Sequence, residues 1–187
     1  MISNLIENTI DFEKLGLYTA IIGEAPSNGA RSPLLWNAAF KAHDLDQRMI
    51  PLDVNQKNII QLLDELNDDK KFIGGAVAVP YKETIAQWLR EKITPEAKKI
   101  GAVNCLFRGN DGQLMGTNTD GEAARITYED KFGSLNGKSI LILGSGGAGK
   151  AVIAYFKAAN ENGNITVISR SQKGTEYAEK INVRWSP

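Results

Sequence analysis

Ile140-Leu141-Ile142-Leu143-Gly144-Ser145-Gly146-Gly147-Ala148-Gly149-Lys150 is the stretch whose reading decides the fold. Four apolar residues run straight into a glycine loop, and a second apolar run, Ala151-Val152-Ile153-Ala154-Tyr155-Phe156, follows it. The first run reads as a buried parallel strand, the second as a helix. Gly144, Gly146 and Gly149 have the G-x-G-x-x-G spacing in the strand-to-helix setting that gives it meaning. A dinucleotide needs a tight turn there, close approach of the backbone to its pyrophosphate, and free N–H groups at a helix start. The same residues satisfy G-x-x-x-x-G-K, but a nucleotide triphosphate loop needs Ser or Thr next to ligate magnesium. Ala151 stands there instead, so the dinucleotide reading is preferred.

Outward from this loop, the chain has 187 residues, 42% hydrophobic and 24% charged, the balance of an ordinary globular protein. A net charge of +0 gives no electrostatic footprint for nucleic acid or an anionic membrane. The single Cys105 cannot form an internal disulfide, which fits a reducing compartment. No apolar run approaches the roughly 20 residues of a membrane helix, and no signal pattern opens the chain. The expectation is a cytoplasmic protein with no nucleic-acid or membrane partner.

Upstream, residues 18–23 read as a strand, and Ser32-Pro33 as the N-cap and first residue of a helix reaching His43. Residues 48–54 form a second strand. Residues 57–66 form a helix with Ile59, Ile60, Leu62, Leu63 and Leu66 on one side, and residues 72–79 a strand closed by Pro80. Short helices follow at 84–90 and from Thr94-Pro95-Glu96. This alternation argues for an α/β fold with a mainly parallel sheet. Asn110-Asp111-Gly112 between two short strands signals a hairpin. A helix over about 120–132 then leads to the second alternating unit: strand, glycine loop, helix to Asn160, strand 165–169, helix 174–180. The expected domains are 1–120, an α/β substrate-binding and catalytic domain, and 121–187, an incomplete Rossmann-type domain. A doubly wound dinucleotide domain has two halves and only one begins here, so the expectation is a truncated chain in which a third strand is just starting at Pro187.

Several residues offer chemistry. Lys82 follows a strand end and Pro80, where ligands of open parallel sheets sit, and such a lysine serves either as general acid or base or as a solvated surface charge. Asp120, in Gly116-Thr117-Asn118-Thr119-Asp120-Gly121, reads as a helix N-cap or as a carboxylate facing a cleft. Asn104 can aim an amide at a ligand or turn the chain. Ser169-Arg170-Ser171, with Lys173 close behind, stands where an NAD site places an acid for the ribose 2′-hydroxyl. Arginine and serine bind a 2′-phosphate, so NADP is favoured over NAD. His43 reads as a helix C-terminal residue, and Trp36, Trp88 and Trp185 as packing residues. One Cys and one His make no zinc site, and no G-x-S-x-G elbow supports hydrolase chemistry.

Taken in order, six motifs resemble the shikimate dehydrogenase family: Ser32-Pro33, Val77-Ala78-Val79-Pro80-Tyr81-Lys82-Glu83, Gly101-Ala102-Val103-Asn104, Asn118-Thr119-Asp120-Gly121, Gly144 to Ala148, and Ser169-Arg170-Ser171. The resemblance implies an NADP-dependent oxidoreductase that moves a hydride between nicotinamide and a cyclic hydroxy acid, shikimate and its 3-keto form, in chorismate and aromatic amino acid biosynthesis. It implies Lys82 as catalytic acid/base with Asp120 as its partner, and Ser32, Asn104 and Thr119 as substrate-binding. Gly144, Ser145, Gly146, Gly147 and Ala148 would cradle the pyrophosphate, and Ser169, Arg170, Ser171 and Lys173 the 2′-phosphate. The expected partner is a small-molecule hydroxy acid, with a homodimer left open. Two departures stand out. The family's Ser-x-Ser-Pro is Ala30-Arg31-Ser32-Pro33 here, and its Asn-Val-Thr-Val-Pro is Ala76-Val77-Ala78-Val79-Pro80. Up to three substrate anchors are thereby lost, each worth about 1 kcal/mol, while Arg31 adds a cation. Two alternatives remain open, a non-catalytic binding protein of the same fold and an inactive fragment.

Overall fold

Two sheets organise the chain. The computed structural model describes residues 1–170 and 172–187, apart from the side chains of Gln172 and Lys173. Two compact units emerge: Met1–Thr94 with Val103–Thr117, and Pro95–Ala102 with Asn118–Pro187.

The first unit opens with two 3-10 turns, Ile2–Asn4 and Phe12–Lys14. It then lays down β1 (Leu17–Gly23), α1 (Ser32–Ala42), β2 (Gln47–Asp53), α2 (Ile59–Asp68), β3 (Phe72–Val77), α3 (Lys82–Leu89), β4 (Cys105–Arg108) and β5 (Leu114–Thr117). The sheet order is β2-β1-β3-β4-β5; the first three strands are parallel and the last two antiparallel. The hairpin and the mainly parallel sheet are as the sequence predicts. On α2, Ile59, Leu62, Leu63 and Leu66 are buried. Ile60, expected among them, is 45% exposed, because the 3.6-residue period rotates it out of the inward stripe. The third strand ends at Val77 rather than at residue 79, and the chain leaves the sheet through a cis Val79–Pro80 bond. Ser32 is the first helical residue of α1 rather than its N-cap; Arg31 precedes it and no side chain caps the helix. His43 does follow as the C-cap. Trp36 is half out, its ring beside Phe40, while the Trp88 indole donates to Asp64 at 2.9 Å.

Arg108 rivets this unit. Its guanidinium donates to the carbonyls of Leu66, Asn67, Asp69, Phe72 and Gly112 at 2.7–2.9 Å. Three of these carbonyls lie at or just beyond the end of α2, where helical partners run out.

The second unit contains α4 (Pro95–Ile100), α5 (Asp120–Phe132), β6 (Ser139–Leu143), α6 (Gly147–Ala159), β7 (Asn164–Ile168), α7 (Gln172–Lys180) and β8 (Arg184–Ser186). The parallel sheet runs β6-β7-β8. A third strand, expected only to be starting, is therefore formed and paired. α4 falls in this unit because Ile100 and Ala102 bury against Ala151, with Ala154 and Tyr155 packed alongside. The core gathers Leu135, Ile153, Phe156, Ile165, Val167 and Tyr177, with Ile140 and Ile142 packed against it. No helix among the described residues is long and apolar enough to cross a membrane.

Candidate functional site

In the first unit the parallel strands end at one edge of the sheet, and the polar candidates gather there. Lys82 is the first residue of α3, half-buried, five residues beyond the end of β3. Tyr81 before it is buried, and its hydroxyl donates to the Val54 carbonyl at 2.6 Å, fixing the start of the helix against the end of β2. The Val103 N–H donates to the Lys82 carbonyl at 2.8 Å, and the Val77 N–H to the Asn104 carbonyl at 2.8 Å. Asn104 in turn donates its N–H to Thr117 at 3.0 Å. These bonds bring the Lys82 and Asn104 segments together, although 22 positions separate them in the sequence. Ser32 sits half-buried at the start of α1, reached from β1 by the loop that carries Ala30 and Arg31. Beneath this edge, Ser27 donates both its N–H, at 2.8 Å, and its hydroxyl to the Asp53 carboxylate. That carboxylate is thus committed to holding the loop.

In the second unit two groups of candidates appear. Asp120 is the first residue of α5 rather than its N-cap. Asn118 does the fixing: its Oδ1 accepts the Asp120 N–H at 3.0 Å, and its amide donates to the Ala102 carbonyl at 3.0 Å. Asn118 is 2% exposed, and this buried role escaped the sequence reading, which saw only a small polar cluster. Thr119 is exposed and precedes the helix as its N-cap, with no side-chain capping bond.

The glycine loop has the predicted form. Gly144 adopts φ +100°, a conformation side chains resist. A Cβ at Gly149 would overlap the Gly144 carbonyl oxygen, so helix and strand can meet only through glycine here. Gly146 precedes α6, no side chain caps that helix, and Cβ positions at Gly144 and Gly146 face open space. A pyrophosphate fits this cradle: the helix start offers N–H groups, and among the described residues nothing lies within 4 Å of a Cβ at Gly144 or Gly146. Lys150 does not serve as a phosphate lysine on the loop. It is buried in α6 with its ammonium 5.5 Å from the Tyr177 ring centroid, and the Tyr177 hydroxyl donates to its carbonyl at 3.0 Å. Burial pushes the Tyr177 hydroxyl up to about 12, keeping it a neutral donor.

Ser145 and Ser169 are both buried, and Gly174 in α7 lies against both hydroxyls, where any side chain would collide with them. The Trp185 indole donates to Ser169 at 3.1 Å. Gly174 thus lets the end of β7 and the glycine loop meet, and Trp185 holds the β7 end; the motif includes neither residue. Arg170 follows, exposed. Ser171 and the Lys173 side chain lie outside the described residues. Cys105, in the first unit, has its thiol pushed up by burial and is no poised nucleophile. Among the described residues no group of three or more His, Cys, Asp and Glu could hold a metal.

Comparisons with known proteins point to one family. Residues 21–106 match the family model for the shikimate dehydrogenase substrate binding domain. The shikimate dehydrogenase (NADP(+)) of Methanocaldococcus jannaschii is 35% identical over 165 residues, covering 86% of this chain and 56% of that protein. The chain spans about half the length of the curated relatives it matches. Among solved structures, shikimate 5-dehydrogenase from Thermus thermophilus in complex with NADP(H) and shikimate superposes with TM-score 0.77 at 27% identity, over 91% of this chain and 63% of that one. The ligand-free 5-ketofructose reductase of a Gluconobacter species matches at TM-score 0.73 and 26% identity, over 92% and 62%. With identity above one-third over most of its residues, a matching substrate-domain model over residues 21–106 and a shared fold, the chain is similar to the shikimate dehydrogenases.

Proposed function

We propose that the chain is an NADP-dependent oxidoreductase that interconverts the carbinol and ketone forms of a shikimate-like cyclic hydroxy acid, a step in chorismate and aromatic amino acid biosynthesis. The observation that carries the reading is Lys82, half-buried at the start of α3 and tied through the backbone to the Asn104 segment, in a chain similar to the shikimate dehydrogenases. In the oxidation direction the Lys82 amine accepts the carbinol O–H proton, and it returns that proton when the ketone is reduced. Asp120 is the second catalytic group, a carboxylate that the resemblance assigns to the same proton chemistry. Ser32, Asn104 and Thr119 bind substrate oxygens. The domain reading is that residues 1–120 carry substrate recognition and 121–187 the cofactor loop. Bound NADP supplies the hydride acceptor, and its pyrophosphate is held by Gly144, Ser145, Gly146, Gly147 and Ala148. Arg170, with Ser169, Ser171 and Lys173, takes the 2′-phosphate. The reading carries with it a cytoplasmic location and, as assembly, a homodimer.

Calorimetric titration with NADP and NAD tests it. The expected result is NADP binding at least tenfold tighter than NAD, about 1.4 kcal/mol. In Gly146→Val that binding is lost while the fold holds within about 1 kcal/mol. No binding of either dinucleotide contradicts the proposal.

A further inference from the structure

We infer that the substrate face of the first unit is built for a ring edge without hydroxyl groups, so that the ligand is a carbinol acid poorer in hydroxyls than shikimate. The inference rests on the proposed function and names its substrate class. Ala30 comes from the loop before α1, Ala76 from the end of β3 and Ala78 from just beyond it, more than forty positions away. The fold joins them: all three pack on one apolar cluster of Ile21, Phe40 and Met49. Each is half-buried, and Ala76 and Ala78 lie at the carboxyl edge of the parallel strands, in the segment that leads to Lys82.

The backbone there is no substitute for polar side chains. The Ala30 N–H is donated to Pro26 at 3.1 Å, the Val77 N–H to Asn104 at 2.8 Å and the Ala78 N–H to Ile22 at 2.8 Å. Neither the three side chains nor these amides can therefore donate to a hydroxyl set against the wall. Such a hydroxyl gives up water and gains no donor there, whereas a CH₂ group at the same place is favoured by burial. The motif comparison and the geometry point the same way, because Ala30, Ala76 and Ala78 are the positions at which this sequence departs from the family pattern. Polar groups persist where one carbinol and one carboxylate need them: Lys82, Asn104 and Ser32, with the exposed Arg31 beside Ser32.

Calorimetric titration of the full chain, with and without NADP, compares shikimate with 3-hydroxycyclohexane-1-carboxylate, which keeps the ring, the acid and one carbinol. The expected result is at least tenfold tighter binding of the less hydroxylated acid. Ala30→Ser, a loop change that leaves the strand intact, narrows that ratio, and the triple variant Ala30→Ser, Ala76→Asn, Ala78→Thr reverses it. Equal or tighter binding of shikimate by the natural sequence, together with Lys82-dependent NADPH formation, overturns the inference and leaves the proposed function standing. No binding of either acid overturns both.

Discussion

β1, with Tyr18-Thr19-Ala20-Ile21-Ile22 before Gly23, and β6, with Ile140-Leu141-Ile142-Leu143 before Gly144, are the same kind of sequence: an apolar run ending at a glycine. In β1 both faces are covered. Ala20 and Ile22 are 0% exposed, and Ile21 packs with Phe40 and Met49. In β6 only Ile140 and Ile142 meet the core, while Leu141 and Leu143 are 59% and 75% exposed. β1 also has a parallel partner on each side, whereas among the described residues β6 pairs only with β7. A continuous apolar run thus specifies a strand that can be buried on both faces; whether it is depends on what the rest of the fold lays over it.

The sharpest test of this contrast lies in the covered strand. Ile22→Ala should destabilise the first unit by about 4 kcal/mol, as expected for a fully buried side chain with no room to collapse. A loss below about 1 kcal/mol in urea unfolding would break the contrast. Arg108→Ala comes next. It removes five hydrogen bonds to carbonyls, and about 3 kcal/mol should be lost in the same assay. Arg108→Lys should recover little, because an ammonium cannot reproduce the guanidinium fork. In the second unit, Gly149→Ala should cost about 2 kcal/mol by forcing α6 away from the Gly144 carbonyl, read as a lowered melting temperature. The smallest effect belongs to the bare face: Leu143→Gln should change stability by less than about 0.5 kcal/mol. A loss of 2 kcal/mol or more there would mean that Leu143 is covered in solution and that the two strands are alike.

What was legible in the sequence was local. The glycine spacing from Gly144 to Gly149, the hairpin at Asn110-Asp111-Gly112 and the inward stripe of α2 each depend on neighbours a few residues away, and the structure has them. Lys82 and Asp120 could be named as candidates because they stand at element boundaries, which punctuation residues mark. Contacts that cross the chain were not legible. Arg108 finds carbonyls 36 to 42 positions back. Gly174 must be small because Ser145 and Ser169 meet there, and no pattern of spacing announces such a meeting. The exposure of Leu141 and Leu143 follows from missing cover rather than from their own residue types. The joining of Ala30 with Ala76 and Ala78 on one wall is of this kind too, and it turns three separate departures from a motif into a single change of surface chemistry.

The central claim is that the proton chemistry belongs to Lys82 in the first unit while the dinucleotide is held by the glycine loop of the second. Its most direct test is Lys82→Ala, assayed for NADPH formation with a cyclic hydroxy acid and titrated with NADP in parallel. The account predicts a fall in turnover of about a hundredfold or more, with NADP affinity unchanged within about twofold. Turnover that survives the substitution, or NADP binding lost along with it, would contradict the account.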